Sequence, residues 1–420
     1  MEEFDTVVVG AGQAGVAMSE HLTDLGIPHV VLERDRIAER WRTARWDSLV
    51  ANGPAWHDRF PNMEFECDPD AFPDKDRVAA YFEAYAERFD APIRTGVEVQ
   101  SLTPRGGGFL LETSTGPIRA RHVVAATGPF QKPVISPVVP ADAGPVQMHS
   151  SAYRNPDQLP DGAVLVVGGG SSGVQIADEL MTAGRKVYLS IGPHDRPPRR
   201  YRERDNVWWL GVLGKWNADS PGPGTEHVTI AVSGADGGKT IDFRRLAHRG
   251  LTLLGMTDGY RDGTLTLAQD LRKNLQAGDA YYLSLLDQAD AYITKHGLDL
   301  PPEPDARIIP EDPACVTDPI LELDLDKAEI GTILWATGYQ FDFGWIKADT
   351  FDERGRPLHQ RGVSREPGLY FVGLPWQTRR GSSFIWGVWH DAKFIADQIA
   401  IQHGYLAYDG RAAIRRPEDA

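Results

Sequence analysis

Two stretches of the chain share one plan of buried strand, glycine-rich turn, helix and second strand, and this repeat limits the fold most strongly. The first stretch is VVVGAGQAGVAMSEHLTDLGIPHVVLE, from Val7, and the second is VLVVGGGSSGVQIADELMTAGRKVYLS, from Val164. Gly26 and Gly184 come directly after the two helices, where a left-handed C-terminal cap favours glycine. Each stretch is therefore a βαβ unit with parallel strands and a right-handed crossover. The repeat predicts an α/β chain with two parallel-sheet domains of the same kind.

The first glycine turn has the full context of a dinucleotide-binding motif, G-x-G-x-x-G between an apolar strand and a helix. Gly10 permits the tight turn, Gly12 lets a pyrophosphate approach backbone N–H groups, and Gly15 lets helix and strand touch. Glu33 ends the next strand, where a carboxylate can accept hydrogen bonds from both hydroxyls of a ribose. The alternative is an ordinary strand-to-helix turn that binds nothing. The acidic residue and the early position in the chain favour the dinucleotide site.

The second glycine turn, with Gly168, Gly170 and Gly173, differs from the first at the end of the following strand. Ser190 stands where the first copy has Glu33, so no carboxylate repels a 2′-phosphate there. Guanidinium groups suit a phosphate dianion, and a run of arginines comes next. These arginines are Arg196, Arg199, Arg200, Arg202 and Arg204. The second motif is therefore predicted to bind NADPH, with a solvated basic loop as the alternative.

The second turn also satisfies G-x-S-x-G, the pattern of a hydrolase nucleophile elbow, through Gly169, Ser171 and Gly173. The first copy has Gln13 at the position of Ser171 and keeps every glycine of the dinucleotide pattern. The repeat therefore favours dinucleotide binding over a serine nucleophile.

Further features agree with two Rossmann-like nucleotide domains. Two buried strands end in ATG, at Ala126–Gly128 and Ala336–Gly338, and small residues there let the chain pass close to a flat cofactor. Gly381 and Ser382 begin a final helix whose positive N-terminal end can face a flavin. The pattern predicts a helix near 78–89, a meander around 97–121 and a helix near 280–296. The predicted domains are an FAD domain in two segments, 1–160 and 340–420, around an NADPH domain, 161–339, with an insertion at 196–313.

Charge and cysteine content restrict the function classes. The chain has 44 Lys and Arg against 59 Asp and Glu, a net charge of −15, which opposes unspecific binding to nucleic acid or to an anionic membrane. The two cysteines, Cys67 and Cys315, form no CxxC pair, which argues against a disulfide reductase on this fold. No apolar run reaches membrane-helix length and no targeting segment is recognised, so a cytoplasmic protein is expected. The sequence is compatible with a homodimer.

In these motifs and their order the chain resembles the flavin-containing monooxygenases, the class B flavoprotein monooxygenases, over nearly its whole length. Besides both glycine motifs and Glu33, the shared features are the Trp41-Arg42 pair, MHSSAYRNP at Met148–Pro156 and a late ATGY. The resemblance implies FAD and NADPH as cofactors and O2 as co-substrate. It further implies a C4a-hydroperoxyflavin that passes one oxygen atom to a small organic molecule.

The resemblance also implies roles for single residues. In the family fingerprint His149 and Tyr153 match the second half, whereas Ala143 and Pro145 depart from the first half. Tyr153, where the Baeyer–Villiger branch has Trp, favours N- or S-oxygenation. Asn52 stands where the family carries an asparagine at the flavin C4a edge, and it is the one predicted catalytic residue.

The prediction is thus an FAD- and NADPH-dependent monooxygenase acting on a small nitrogen or sulfur compound. A Baeyer–Villiger monooxygenase, an NAD(P)H oxidase or quinone reductase, and a non-catalytic flavoprotein remain as alternatives. No metal is predicted. The predicted cofactor-binding residues are Gly10, Gly12, Gln13, Ala14, Gly15, Glu33, Arg34, Trp41, Arg42, Thr127, Gly128, Gly168, Gly170, Ser171, Ser172, Gly173, Ser190, Arg199, Arg200, Ala336, Thr337, Gly338, Gly381 and Ser382.

Overall fold

A computed structural model of the chain describes residues 1–220 and 229–408. The strands are β1 (Glu2–Val9), β2 (His29–Glu33), β3 (Ile93–Thr95), β4 (Val99–Arg105), β5 (Gly108–Thr113), β6 (Ile118–Ala125), β7 (Lys132–Pro133), β8 (Val146–His149), β9 (Ala163–Val167), β10 (Val187–Ser190), β11 (Arg200–Tyr201), β12 (Arg204–Asp205), β13 (Thr252–Leu254), β14 (Thr257–Arg261), β15 (Thr264–Leu267), β16 (Glu322–Asp324), β17 (Ile330–Trp335), β18 (Tyr339–Gln340), β19 (His359–Gln360), β20 (Val363–Ser364) and β21 (Leu369–Phe371). The α-helices are α1 (Gln13–Asp24), α2 (Glu39–Thr43), α3 (Lys75–Glu87), α4 (Ser171–Thr182), α5 (Asn206–Val212), α6 (Phe243–His248), α7 (Leu271–His296), α8 (Ala314–Thr317) and α9 (Ile385–Ala407).

The chain forms two compact units. Unit 1 consists of Met1–Ala38, Phe82–Pro129 and Phe341–Ala420, of which residues 409–420 lie outside the described part. Unit 2 consists of Glu39–Tyr81 and Phe130–Gln340.

The main sheet of unit 1 has the strand order β19-β20-β21-β6-β1-β2-β3, and the β4–β5 hairpin joins it at β6. Strand β1 is central and parallel to both neighbours, with Val7 opposite Val30 on one side and Val123 on the other. These strands read as continuous apolar runs because both faces of the sheet are covered. On one face Val7, Val9 and Val30 pack in a cluster with residues of the β4–β5 hairpin and of the segment 341–351. Helix α9 supplies one such cover. Its apolar residues lie on one buried face, which consists of Ile385, Val388, Ala392, Ile395 and Ile399.

The main sheet of unit 2 is entirely parallel, in the order β13-β10-β9-β17-β8. Successive residues of β9 pack on opposite faces, as the period of a strand requires. Val164 and Val166 join one hydrophobic cluster, and Leu165 and Val167 join another. Smaller antiparallel sheets, β11–β12, β14–β15–β16 and β7–β18, complete the unit.

Both βαβ repeats are present as predicted, one in each unit. Gly26 and Gly184 have φ angles of 66° and 82°, the left-handed conformation expected after each helix. None of the described helices is both long and apolar enough to cross a membrane.

The two units and the final helix divide the chain differently from the predicted segments. Residues 39–81 and 130–160 belong to unit 2, where β8 forms the sheet edge beside β17. The segment predicted as an insertion, 196–313, contributes β13 to the main sheet beside β10. The final helix begins at Ile385, and a 3-10 turn at Arg380–Ser383 precedes it.

Candidate functional site

The glycines of the first turn meet three different surroundings. A Cβ on Gly10 would lie 2.8 Å from the Ala126 carbonyl oxygen, and one on Gly15 would lie 1.8 Å from the Gly10 carbonyl oxygen. A Cβ on Gly12 would meet nothing within 4 Å. The fold itself therefore requires the first and third glycines. The second leaves open space at the N-terminus of α1, where a pyrophosphate could approach the backbone.

Glu33 is fixed beside this turn. Its carboxylate accepts hydrogen bonds from the Ala11 N–H at 2.8 Å and the Asp35 N–H at 2.9 Å. A carboxylate has about four acceptor positions, so it can still bind the hydroxyls of a ribose. The neighbouring Arg34 is exposed and pairs with Asp35 at 3.2 Å.

Gln13 joins the turn to the segment before α9. Its Nε2 donates to the Ser383 carbonyl oxygen at 2.8 Å, which places the 3-10 turn at Arg380–Ser383 beside the start of α1. Gly381 and Ser382 in that turn are buried, and the Ser382 hydroxyl accepts the Thr378 N–H at 3.0 Å. The structure thus brings most predicted residues of unit 1 together. Ala14 is buried at the start of α1, and Thr127 and Gly128 follow directly after β6.

The second turn repeats the steric pattern of the first. A Cβ on Gly168 would lie 2.4 Å from the Ala336 carbonyl oxygen, and one on Gly173 would lie 1.8 Å from the Gly168 carbonyl oxygen. A Cβ on Gly170 would lie 3.3 Å from Thr229 Cγ2. Unlike the first turn, the second is therefore partly covered by the chain's own segment 229–231.

Two serines follow this glycine turn at the start of α4. The Ser171 hydroxyl donates to the Ile230 carbonyl oxygen at 2.8 Å, so it is bound to the covering segment. Ser172 is half-buried. In the described part of the chain this hydroxyl, which the hydrolase alternative needs as a nucleophile, forms no hydrogen bond with a histidine.

Ser190 occupies the strand end that corresponds to Glu33, but it does not face solvent. The residue is only 2 % exposed, and its hydroxyl donates to the Gly255 carbonyl oxygen at 2.8 Å. Ser190 therefore leaves this strand end without a negative charge. Its buried hydroxyl is not placed to contact a phosphate directly.

The arginine run is largely engaged within the protein. Arg199 is 1 % exposed, its guanidinium forms a two-point ion pair with Asp205, and its Nη1 donates to the Asn52 carbonyl oxygen at 2.6 Å. Arg196 pairs with Asp279 at 2.9 Å. The structure therefore does not favour Arg199 as a reader of a phosphate. Arg200 is exposed and lines a cavity of about 450 Å³.

Asn52 is exposed in unit 2, and its side-chain orientation is determined by a short chain of hydrogen bonds. Gln175 Nε2 donates both to the Val232 carbonyl oxygen at 2.7 Å and to Asn52 Oδ1 at 2.9 Å. Because a backbone carbonyl only accepts, the Gln175 atom that faces it must be the amide nitrogen. The Asn52 atom that faces this nitrogen must then be the oxygen. Asn52 Nδ2 therefore points away from Gln175 as a donor.

Sequence reasoning missed Gln175, although a signal was present. Gln175 lies on α4 at the position of Ala17 on α1, and it is only 8 % exposed. A glutamine at a buried helix position, where the other copy of the repeat has alanine, calls for a polar partner.

The second ATG end is held by the residues of the family fingerprint. His149 Nε2 lies 3.0 Å from the Gly338 carbonyl oxygen, and the Thr337 hydroxyl donates to the Val134 carbonyl oxygen at 2.5 Å. Burial lowers the pKa of His149, so the ring is neutral at neutral pH and suits a structural contact better than a charged one. Tyr153 is fully buried and donates to Glu179 at 2.7 Å.

The Trp41-Arg42 pair lies on α2, in unit 2. Trp41 packs against a hydrophobic cluster of that unit, and the Arg45 guanidinium lies 5.7 Å from its ring centre. The Arg42 carbonyl oxygen accepts a hydrogen bond from Lys75 Nζ at 3.4 Å.

Two glycine turns of matching steric pattern, each on its own sheet of parallel strands, are typical of oxidoreductases that bind two dinucleotides. Comparison with known proteins gives the same class. The sequence profile of the pyridine nucleotide-disulphide oxidoreductases matches residues 7–204. An uncharacterized oxidoreductase, CzcO-like, of Geobacillus kaustophilus is 35 % identical over 94 % of this chain and 98 % of its own length.

Monooxygenases are among the other similar proteins. A probable indole-3-pyruvate monooxygenase, YUCCA4 of Arabidopsis thaliana, is 27 % identical over 97 % of this chain and 92 % of its own. The solved flavin-containing monooxygenase of Stenotrophomonas maltophilia has the same fold, with a TM-score of 0.67 and 18 % identity over 96 % of this chain and 100 % of that one. The chain belongs to the same family as the CzcO-like oxidoreductase, it has the fold of the flavin-containing monooxygenases, and it is a flavin-dependent oxidoreductase.

Proposed function

We propose that this enzyme is an FAD- and NADPH-dependent monooxygenase that transfers one atom of O2 to a small organic nitrogen or sulfur compound. The observation that carries the proposal is the contrast between the two glycine turns. They share their steric design, but Glu33 follows one and the uncharged Ser190 follows the other. Two different dinucleotides are the simplest ligands for two such sites.

The residues of unit 1 fit FAD. The open space at Gly12 admits a pyrophosphate to the N-terminus of α1, and Glu33 accepts hydrogen bonds from a ribose. When bound, the flavin accepts a hydride from the nicotinamide and activates oxygen. The protein's part is to hold the dinucleotide by its phosphates and sugar.

The residues of unit 2 fit NADPH better than NADH. No carboxylate stands at the end of β10, so a 2′-phosphate meets no repulsion from that position. Arg200 and Arg204 are the exposed members of the arginine run, and of these two Arg200 lines the cavity. Asp68, Asp70 and Asp236 line the same cavity and weaken the attraction of Arg200 for a phosphate.

Asn52 is proposed to assist the transfer of oxygen. Its Nδ2 is a donor whose direction is fixed by Gln175, and a fixed donor stabilises negative charge that develops on oxygen. Donors that need no reorganisation during the reaction contribute most in this way. The role assigned to Asn52 is to supply such a donor.

A second candidate function is oxygen insertion next to a carbonyl group. It is favoured by the relative that is named an indole-3-pyruvate monooxygenase, whose named substrate is a keto acid. This candidate uses the same two cofactors. The oxygen atom goes to an electrophilic carbonyl compound, whereas in the first candidate it goes to a nucleophilic nitrogen or sulfur atom.

The decisive experiment follows the fate of oxygen. The purified enzyme is supplied with NADPH and ¹⁸O-labelled O2, and with thioanisole, indole-3-pyruvate or cyclohexanone as probe. We expect labelled sulfoxide from thioanisole, with less peroxide formed per NADPH oxidised than without the probe. Labelled product from the carbonyl probes alone would support the second candidate. NADPH oxidation with stoichiometric peroxide and no labelled product would show an oxidase, and no NADPH oxidation at all would refute both candidates.

A further inference from the structure

Three side chains of the types that serve as metal ligands converge in unit 1, in a place that the proposed reaction does not use. Asp5 lies on β1, His122 on β6 and His403 near the end of α9. One ligand atom from each lies within 4.8 Å of the others. Two adjacent parallel strands and a helix thus bring together residues that are far apart in sequence.

The imidazoles in this cluster lack the hydrogen bonds that buried polar groups normally have. His122 is only 3 % exposed, and neither of its ring nitrogens has a hydrogen-bond partner in the described part of the chain. His403 Nε2 lies 2.9 Å from Asp5 Oδ1, yet it too has no hydrogen bond of acceptable geometry there. Leaving a buried polar group unsatisfied costs about 1–3 kcal/mol, so this arrangement needs a ligand to explain it.

We propose that Asp5, His122 and His403 form a binding site for one divalent transition-metal ion, with Zn²⁺ as the preferred probe. Imidazole nitrogen and carboxylate oxygen are ordinary zinc ligands. Side-chain atoms bound to a tetrahedral zinc ion lie about 3.3 Å apart. His403 Nε2 already lies 2.9 Å from Asp5 Oδ1. The fourth position would be taken by water, since the His403 side chain is 27 % exposed.

The buried His122 ring suits a cation. Burial is the largest influence on His122 and lowers its pKa to about 4, so the ring is neutral and can coordinate at neutral pH. Asp5 Oδ2 lies 3.4 Å from Arg121 Nη1, and the Thr6 hydroxyl donates to Asp5 Oδ1 at 3.0 Å. These contacts orient the carboxylate, while the Arg121 charge reduces its attraction for a cation. The expected site is therefore weaker than a four-ligand structural zinc site.

A bound ion would connect the end of α9 to the two central strands of unit 1. The effect would be on the stability of this unit, because metal binding to the folded state alone stabilises that state. The proposed zinc site takes no part in flavin chemistry. Its test is therefore independent of the proposed monooxygenase activity.

The test uses the flavin-loaded, tag-free protein after treatment with a chelator. Zinc uptake is measured by equilibrium dialysis with elemental analysis, and the thermal unfolding midpoint is measured with and without ZnCl2. We expect one zinc per chain and an upward shift of the midpoint. His403→Ala should lose both, and it places alanine, a good helix former, near a helix end. Asp5→Asn provides a second variant should His403→Ala fail to fold.

His390→Ala is the matched control, because His390 is an exposed histidine on the same helix, outside the cluster. This variant should bind zinc as the parent does. The proposal is overturned if the parent takes up no zinc, or if the His403 and Asp5 variants take up as much as the parent.

Discussion

Gly12 and Gly15 lie in the same glycine motif, and a side chain at each position is expected to have a different effect. At Gly12 it should prevent flavin binding, and at Gly15 it should prevent folding of the turn. Gly12 has an extended backbone conformation and open space around its Cα, so Gly12→Val should fold. The valine would occupy the space of the pyrophosphate, so the purified variant should lack flavin. Gly15→Ala would place its Cβ against the Gly10 carbonyl oxygen and should prevent the turn from forming.

Flavin absorbance per protein and circular dichroism distinguish the two effects. A folded Gly12→Val protein with the flavin content of the parent would show that FAD does not bind at this turn.

The orientation of Asn52 gives a prediction for Gln175, which touches neither cofactor in the proposal. Gln175 donates two hydrogen bonds, and a glutamate in its place cannot donate both, whether ionised or protonated. Gln175→Glu should therefore reorient the Asn52 amide and turn its donor inward. Loss of such a donor typically lowers the rate of the supported step by ~10²–10³. Flavin reduction by NADPH should change little, while product formed per NADPH should fall and peroxide should rise.

Asn52→Ala should give the same uncoupling as Gln175→Glu. Gln158→Glu, an exposed substitution in the same unit, serves as the control for added charge. Full coupling in Gln175→Glu would remove both residues from the mechanism.

The nucleotide preference is best tested at Arg200, because Ser190 is buried and a glutamate there would disturb folding as well as binding. The parent should be reduced faster by NADPH than by NADH at limiting concentration. Arg200→Ala should lower kcat/KM for NADPH about tenfold, which is the lower end of the range for a charge-assisted contact. The kcat/KM for NADH should stay unchanged. Arg204→Ala is the control, since Arg204 lies over the Trp208 ring. Equal effects on the two nucleotides would exclude Arg200 as the reader of the 2′-phosphate.

At the scale of elements, a buried acidic residue ties three helices of unit 1 together. Glu20 on α1 is 3 % exposed and accepts hydrogen bonds from the Tyr85 hydroxyl on α3 and from Trp389 Nε1 on α9. Arg88 lies 3.3 Å from the same carboxylate. Glu20→Leu removes the acceptor that these donors share, and it should lower the free energy of unfolding by about 3 kcal/mol.

Chemical denaturation of the parent and of Glu20→Leu measures this loss. Glu87→Ala, at an exposed site on α3, should stay within about 0.5 kcal/mol of the parent. A similarly small change for Glu20→Leu would mean that apolar packing alone fixes the three helices.

The elements that sequence predicted well carry strong local signals. Both βαβ repeats, the β4–β6 meander and the stripe of α9 follow from apolar runs and periodicity. Strand β13 was missed because it has only three residues, and its place beside β10 depends on a distant partner. The burial of Arg199 was missed for the same reason, since it depends on Asp205 and on the backbone of Asn52.

At the scale of the whole molecule, the sequence predicted that one unit is inserted into the other, but it predicted fewer crossings between the units than the structure has. The chain passes between the units after Ala38, Tyr81, Pro129 and Gln340. A sequence repeat shows where each βαβ unit begins, but it does not show which unit the segments between the repeats join. The tertiary pairing of β8 with β17 shows that the chain has entered unit 2 before the second glycine turn.

This nesting has a consequence for how the protein emerges from the ribosome. Strand β6 is bordered on one side by β5 over its first half and by β21 over its second half. Strand β21 is translated only after all of unit 2, so the nascent chain carries an apolar strand edge, Val123–Ala125, open through that whole interval. The contact of Gln13 with Ser383 forms later still. The N-terminus of α1, where we propose that the FAD pyrophosphate binds, gains this neighbour only when the chain returns to unit 1 for the last time.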